Sequence, residues 1–251
     1  MNDDRWDDYL ASFHGERAGI TEAILGRASA DDRSDPYGWL LGELPADGVI
    51  VDLACGSAPL AARATRGWIG LDRNRAELDL ALRVAPGRVL LADATSVPLC
   101  AGAADAVVCS MALMLFDDPA RVVAEMARLL RGGGRLVALL PATGPLTMRD
   151  RARYARLLAA LRLRRLPFRH HRLLGDPLPP ITAAGLTLVS ADRRRFSYPL
   201  TEPGDGLRWL RSLYLPGLDA HRWRAAQRVV QRWTGSSIGM PLRRLVATKD
   251  P

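Results

Sequence analysis

Apolar positions along the chain follow two different periods, and the order in which they alternate predicts the architecture. From residue 49 short apolar runs alternate with segments whose apolar residues recur three and four apart, the pattern of a parallel sheet covered on both faces. Val49–Leu53 is the first run, and it ends in the small-residue turn Ala54-Cys55-Gly56-Ser57-Ala58. Pro59 then suits the first turn of a helix, where its missing N–H has no intrahelical partner. Further strands are predicted at residues 68–71, 88–91, 106–110 and 135–140. Between the last two, Val122, Val123, Met126, Leu129 and Leu130 form one helical stripe over residues 119–130, stopped by Gly132-Gly133-Gly134. Strand, helix, strand in this order is a doubly wound α/β sheet.

The flanking segments read as helical. Asp35 and Pro36 have the character of N-cap and first residue of a helix running to Leu44. Residues 147–166 carry Tyr154, Leu157, Leu158 and Leu161 on one face and Arg149, Arg153 and Arg156 on another. Asp219 caps a last predicted helix lined by Trp223, Ala226, Val230 and Trp233. Residues 186–189 and 242–248 are two late strands, which brings the predicted sheet to seven.

At 251 residues, 25% charged and 48% hydrophobic, the chain can bury a core without staples and is neither disordered nor fibrous. Cys55, Cys100 and Cys109 lie in apolar runs without Cys-x-x-Cys spacing, which argues against disulfides or a zinc knuckle and for a reducing compartment. The first residues, MNDDRWDDYL, are acidic, and no apolar stretch approaches the roughly 18 residues of a membrane span. The expectation is a cytoplasmic protein with no metal site. The net charge of +8 is unevenly spread: residues 1–48 carry −7, residues 49–141 carry +1 and residues 142–251 carry +14. Only Lys249 among the basic residues is a lysine.

The candidate chemistry lies at the strand ends. A helix start after a tight turn offers free N–H groups to an anion, and small residues at 54, 56 and 58 let a ligand approach the backbone. Asp72 ends the second strand, where a carboxylate accepts both hydroxyls of a ribose, and Asp93-Ala94 ends the third, within reach of a base edge. Each feature alone is common as mere structure; their joint order describes a slot for a nucleoside-containing cofactor. The dinucleotide fingerprint is absent, because Ala54 and Pro59 stand at its first and last glycine.

These segments, VIVDLACGSAP, WIGLDRN, LLADATSVPL, ADAVVCSMALMLFDDP and ARLLRGGGRLVALLP, resemble the successive motifs of the class I S-adenosylmethionine-dependent methyltransferases, of the type 11-like kind, over roughly residues 46–141. The resemblance implies a Rossmann-like, doubly wound seven-stranded sheet with a helical insertion before the last strand. It implies one domain, with a helical lid over 1–45, a cofactor core over 46–141 and substrate-side helices and last strands over 142–251. By that resemblance Asp52 and the turn Ala54, Cys55 and Gly56 hold the methionine end of S-adenosylmethionine. Asp72 takes the ribose hydroxyls, Arg73 packs beside the adenine, Asp93 and Ala94 meet the adenine edge, and Ser110 and Met111 floor the pocket. Ala58 replaces a family glycine and is expected to keep φ below zero.

Methyl transfer from a sulfonium asks for alignment, exclusion of water and, for a hydroxyl acceptor, removal of a proton. The Asn/Asp-Pro-Pro-Tyr/Phe tetrapeptide of DNA amino-methylation is absent, since Cys109-Ser110-Met111-Ala112 follows the fourth strand. Trp6, Tyr9 and Phe13 are the candidate lid and substrate residues, and His14 beside them is the candidate base, although such aromatics also serve to staple an appendage to a core. His170 and His171 read as solvated. The favoured acceptor is a small molecule of the biosynthetic, natural-product type. A second reading uses the C-terminal arginines, Arg193-Arg194-Arg195 among them, to bind ribosomal RNA or an acidic carrier protein. A third is a cofactor-binding protein without transferase activity.

Overall fold

The computed structural model describes residues 3–64 and 67–251. Three helices come first: α1 (Asp3–Glu16), α2 (Ile20–Leu25) and α3 (Pro36–Leu41). The core follows as β1 (Val49–Leu53), β2 (Gly67–Asp72), α4 (Arg75–Val84), β3 (Val89–Leu91), β4 (Ala104–Ser110), α5 (Pro119–Leu129) and β5 (Leu130–Pro141). Then come α6 (Met148–Leu161), α7 (Arg172–Gly175), α8 (Leu178–Ala183), β6 (Leu186–Leu200), α9 (Asp205–Arg211), α10 (Ala220–Gln231) and β7 (Ser236–Lys249). The seven strands form one sheet in the order β3-β2-β1-β4-β5-β7-β6. β1 to β5 pair in parallel, and β7 runs antiparallel between β5 and β6.

Burial on both faces explains why β1 and β4 read as continuous apolar runs: Ile50, Val51, Leu53, Val107, Val108 and Cys109 are all buried. The outer strands read differently. β6 covers fifteen residues where the pattern predicts four, because its middle is the polar run Asp192-Arg193-Arg194-Arg195 on the sheet edge. Charged edge strands of this kind resist pairing with a further chain.

Caps set the helix starts. Asp118 accepts from the Arg121 N–H at 3.0 Å with Pro119 in the first turn of α5, and α5 ends at Leu129, so the glycine run opens β5 rather than closing the helix. Asp35 caps α3 through the Tyr37 and Gly38 N–H groups. This helix stops at Leu41, because the Gly42 N–H closes onto the Gly38 carbonyl and the following bonds tighten to i+3 turns through Leu44. Thr147 and Asp150 form a reciprocal capping box at α6. No helix follows Pro59: residues 59–64 wind as successive turns, with the Ala61 N–H on Ala58 and the Arg63 N–H on Leu60. The short path to β2 leaves no room to repay the cost of a helical nucleus.

The uneven charge has a structural use. Acidic residues of the first segment pair with arginines of the last: Asp7 with Arg169 at 3.0 Å, Asp32 with Arg194 at 3.0 Å and Glu43 with Arg244 at 2.8 Å. Arg195 and Arg27 reach the buried carboxylates of Asp150 and Asp205. Part of the +14 therefore fastens the last segment to the first. Among the described residues no helix is long and apolar enough to cross a membrane.

Candidate functional site

β1 is the switch point of the sheet: the chain leaves it towards β2 and β3 on one side and returns through β4 on the other. Open α/β sheets bind ligands beyond the carboxyl ends of the strands at such a point. A cavity of about 300 Å³ opens there. All ten residues assigned to the cofactor by sequence line it: Asp52, the turn Ala54, Cys55 and Gly56, then Asp72, Arg73, Asp93, Ala94, Ser110 and Met111.

The turn after β1 takes left-handed backbone at alternate residues, with φ of 56° at Ala54, 54° at Gly56 and 62° at Ala58. The expectation that Ala58 keeps φ below zero is thus corrected. An L-residue there costs about 1 kcal/mol, and complete burial of the Ala58 methyl offsets part of it. The turn is tied to β2, because the Gly56 N–H donates to Asp72 Oδ2 at 2.9 Å and the Cys55 N–H donates to the Leu71 carbonyl at 3.0 Å. Asp72 also accepts from the Asn74 N–H at 2.8 Å. Burial raises the Asp72 carboxyl above the usual range despite these two donors. Asp93 is exposed and accepts from the Thr95 hydroxyl at 2.6 Å and its N–H at 2.7 Å, which hold it below that range. Arg73 reaches Asp7 of α1 at 3.1 Å and so ties the cavity rim to the first helix.

Two buried polar atoms in this lining have no partner: Asp52 Oδ1 and Ser110 Oγ. Asp52 is 1% exposed, and its other oxygen accepts from Trp68 Nε1 at 3.3 Å. Burial pushes this carboxyl up to about 8; the Trp68 bond works against the shift and the charge of Asp72 adds to it. Burial likewise pushes the Cys55 thiol far up, which leaves it an inert, uncharged wall.

From α1 the lining takes Leu10, Ala11 and His14. Trp6 and Phe13 are buried instead in the layer around Val51, Leu53 and Leu71, and Tyr9 accepts the Leu215 N–H at 2.8 Å. These three aromatics therefore hold α1 to the core and are not among the cavity's lining residues. Their place is set by helical spacing: His14 and Leu10 share one face and the rings occupy another.

Sequence reading did not find the partners of His14. Its Nδ1 lies 2.9 Å from Glu77 Oε1, and its Nε2 lies 3.4 Å from the Tyr214 hydroxyl. Glu77 is 4% exposed and is fixed a second time by the Gly19 N–H at 2.9 Å. The only local signal was the place of Glu77 in the first turn of α4, which the Asn74 cap explains without any site. Tyr214 is buried, and burial pushes its phenol well up.

The other histidines part company. His170 is fixed outside the cavity, its Nε2 2.9 Å from the Asp117 carbonyl. His171 is half-buried rather than solvated and lines a second cavity of about 330 Å³, with its Nδ1 shielded and unpartnered. Thr21, Met111 and Tyr214 line both cavities, so the two meet at one wall.

Residues 51–138, which run from β1 to β5, match the family described as a methyltransferase domain. Over these residues the chain is similar to that family. Among curated proteins none matches the chain by sequence. Solved structures share the fold of this chain at low identity. The [4+2]-cyclase SpnF matches with a TM-score of 0.62 at 17% identity, over 96% of this chain and 95% of its own. Geranyl diphosphate C-methyltransferase from Streptomyces coelicolor A3(2), solved with Mg2+, geranyl diphosphate and S-adenosyl-L-homocysteine, matches with a TM-score of 0.56 at 16% identity, over 98% and 97%. YcgJ from Bacillus subtilis gives 0.54 at 17%, over 86% and 98%. The chain shares with these structures the seven-stranded α/β fold.

Proposed function

We propose that this chain is a methyltransferase that takes its methyl group from S-adenosylmethionine held in the 300 Å³ cavity and passes it to a small-molecule acceptor of the biosynthetic, natural-product type. The observation that carries the reading is the pair of orphaned atoms in the lining. Asp52 Oδ1 is a buried oxygen without a donor, and an amino-acid ammonium supplies one; Ser110 Oγ is free to bond a second polar group. Asp72 at the end of β2 and Asp93 just past β3 take the ribose and the base edge. Ala54 and Gly56 keep the floor low enough for close approach. When bound, the cofactor supplies an electrophilic methyl on a positively charged sulfur.

The chain's own work is then alignment and handling of a proton. His14 is the base. Its Nδ1–H donates to Glu77, which leaves Nε2 to accept the proton of a hydroxyl acceptor, and the Glu77 carboxylate steadies the charge that forms. The Tyr214 hydroxyl beside Nε2 lies in the wall shared by the two cavities, where acceptor and cofactor meet. Helix α1, tied down through Asp7 and Tyr9, is the lid that keeps water from this point.

Titration calorimetry with S-adenosylhomocysteine tests the reading. The wild type binds with one-to-one stoichiometry and Asp72→Ala loses at least about tenfold in affinity, the worth of a charge-assisted pair of hydrogen bonds. No heat at millimolar ligand, or an Asp72→Ala variant that binds as tightly, contradicts it.

A further inference from the structure

The second cavity has a chemistry distinct from the first. Its walls come from the loop after β5, from α6 and the loop behind it, and from the α9 region and β7, and its body is apolar, with Leu146, Leu158, Phe168, Trp209 and Met240 among the lining. Its volume of about 330 Å³ is that of a small-molecule site. At its rim stand Arg164 and Arg165, both exposed and, unlike Arg153, Arg169 and Arg195 nearby, without a carboxylate or carbonyl partner among the described residues. They follow the end of α6, where Arg162 takes a left-handed φ of 53° and the Leu163 N–H closes back onto the Leu158 carbonyl, so the chain turns out of the helix just before them.

We infer that this cavity is the acceptor site and that it takes a molecule with an apolar body and an anionic group, a carboxylate or a phosphate, which Arg164 and Arg165 receive at the rim. The inference rests on the methyltransferase reading above and adds the acceptor's chemical class. Three features support it. A chain that pairs so many of its arginines leaves two unpaired beside an apolar cavity, where an incoming anion is the complement they lack. The half-buried His171, whose ring stacks on Phe168 with centroids 6.5 Å apart, offers its unpartnered Nδ1 as one polar contact inside the cavity. The wall shared through Thr21, Met111 and Tyr214 puts the far end of such a molecule beside His14. Burial, together with the positive charge of Arg165, lowers the His171 imidazole below its ordinary value, so it stays neutral at physiological pH and the two guanidinium groups carry the local charge.

The test compares two probes of equal length, octanoate and 1-octanol, by titration calorimetry on the full chain, with S-adenosylhomocysteine titrated in parallel. Octanoate binds at least about fivefold more tightly than octanol at low salt, and the margin shrinks as salt is added. The double substitution Arg164→Ala with Arg165→Ala removes the margin and leaves octanol and S-adenosylhomocysteine binding as they were. Ala142→Phe, which fills the cavity from its wall, weakens both eight-carbon probes. Equal affinity for the two probes, a margin that survives the double substitution, or probe binding untouched by Ala142→Phe overturns the inference. Failure of the wild type to bind S-adenosylhomocysteine overturns the cofactor reading instead, and the probe comparison is read independently of it.

Discussion

Replacing Asp52 by asparagine separates what this carboxyl costs the fold from what it contributes to binding. Asp52 is buried at the end of β1, one oxygen bonded to Trp68 and the other to nothing. Its carboxyl sits at about 8, against about 3.9 in an unfolded chain. A group whose folded value is raised contributes stability that is complete below about pH 4 and is lost as pH rises towards 8. Across that window the wild type loses about 1.4 kcal/mol per pH unit relative to a neutral isostere, which reaches about 4 kcal/mol at neutral pH. Asparagine keeps an oxygen for the Trp68 N–H and removes the titration. In urea denaturation at about pH 5 and about pH 7 the stability advantage of Asp52→Asn grows by roughly 3 kcal/mol between the two. The same variant binds S-adenosylhomocysteine more weakly, because asparagine cannot give up a proton to become the carboxylate that an ammonium pairs with. An advantage that stays the same at both pH values refutes the assignment of Asp52 as a buried, protonated group awaiting a cation.

Other consequences follow from single contacts. Asp150 is 1% exposed and, although burial raises it, the Arg195, Thr147 and Gly239 donors hold its carboxyl well below the usual range. Asp150→Ala costs about 3 kcal/mol in chemical denaturation, and the wild type's share of this is kept above about pH 4 and lost as pH falls further. A side chain at Gly70 would meet Trp68 Cη2 at 2.4 Å and Cys55 Sγ at 2.8 Å, so Gly70→Ala costs about 2 kcal/mol by thermal or urea unfolding, and an unchanged midpoint contradicts the packing described. Glu77→Gln lowers the rate of methyl transfer about tenfold while S-adenosylhomocysteine affinity holds; equal losses in both assign Glu77 to the fold rather than to His14.

The central strands were legible because burial on both faces leaves little choice but apolar residues, as at Ile50, Val51, Val107 and Val108. The cavity at the strand ends was legible for a related reason: Asp52 and Asp72 lie at the ends of β1 and β2 and Asp93 two residues beyond β3, and parallel register carries strand ends to one edge. The polar middle of β6 hid its length, since Arg194 and Arg195 point to Asp32 and Asp150, partners far along the chain. Pro59 misled because it marks a helix start only where the chain has room to build one. The lid aromatics misled because the residue type fits a substrate wall and a core staple equally, and only packing distinguishes Phe13 from His14 next to it. Glu77 and Tyr214, which complete the site around His14, stand 63 and 200 residues from it, beyond any local pattern. The second cavity draws its lining from segments scattered between Thr21 and Leu242 and had no signature at all.

A crystal structure of the chain grown with S-adenosylhomocysteine would show whether the cavity at the strand ends is the ligand's site. Density for the ligand is expected in the cavity at the ends of β1, β2 and β4, with its ammonium against Asp52 Oδ1 and its ribose hydroxyls on Asp72. Ligand bound elsewhere, or a cavity that stays empty at saturating concentration, contradicts that placement.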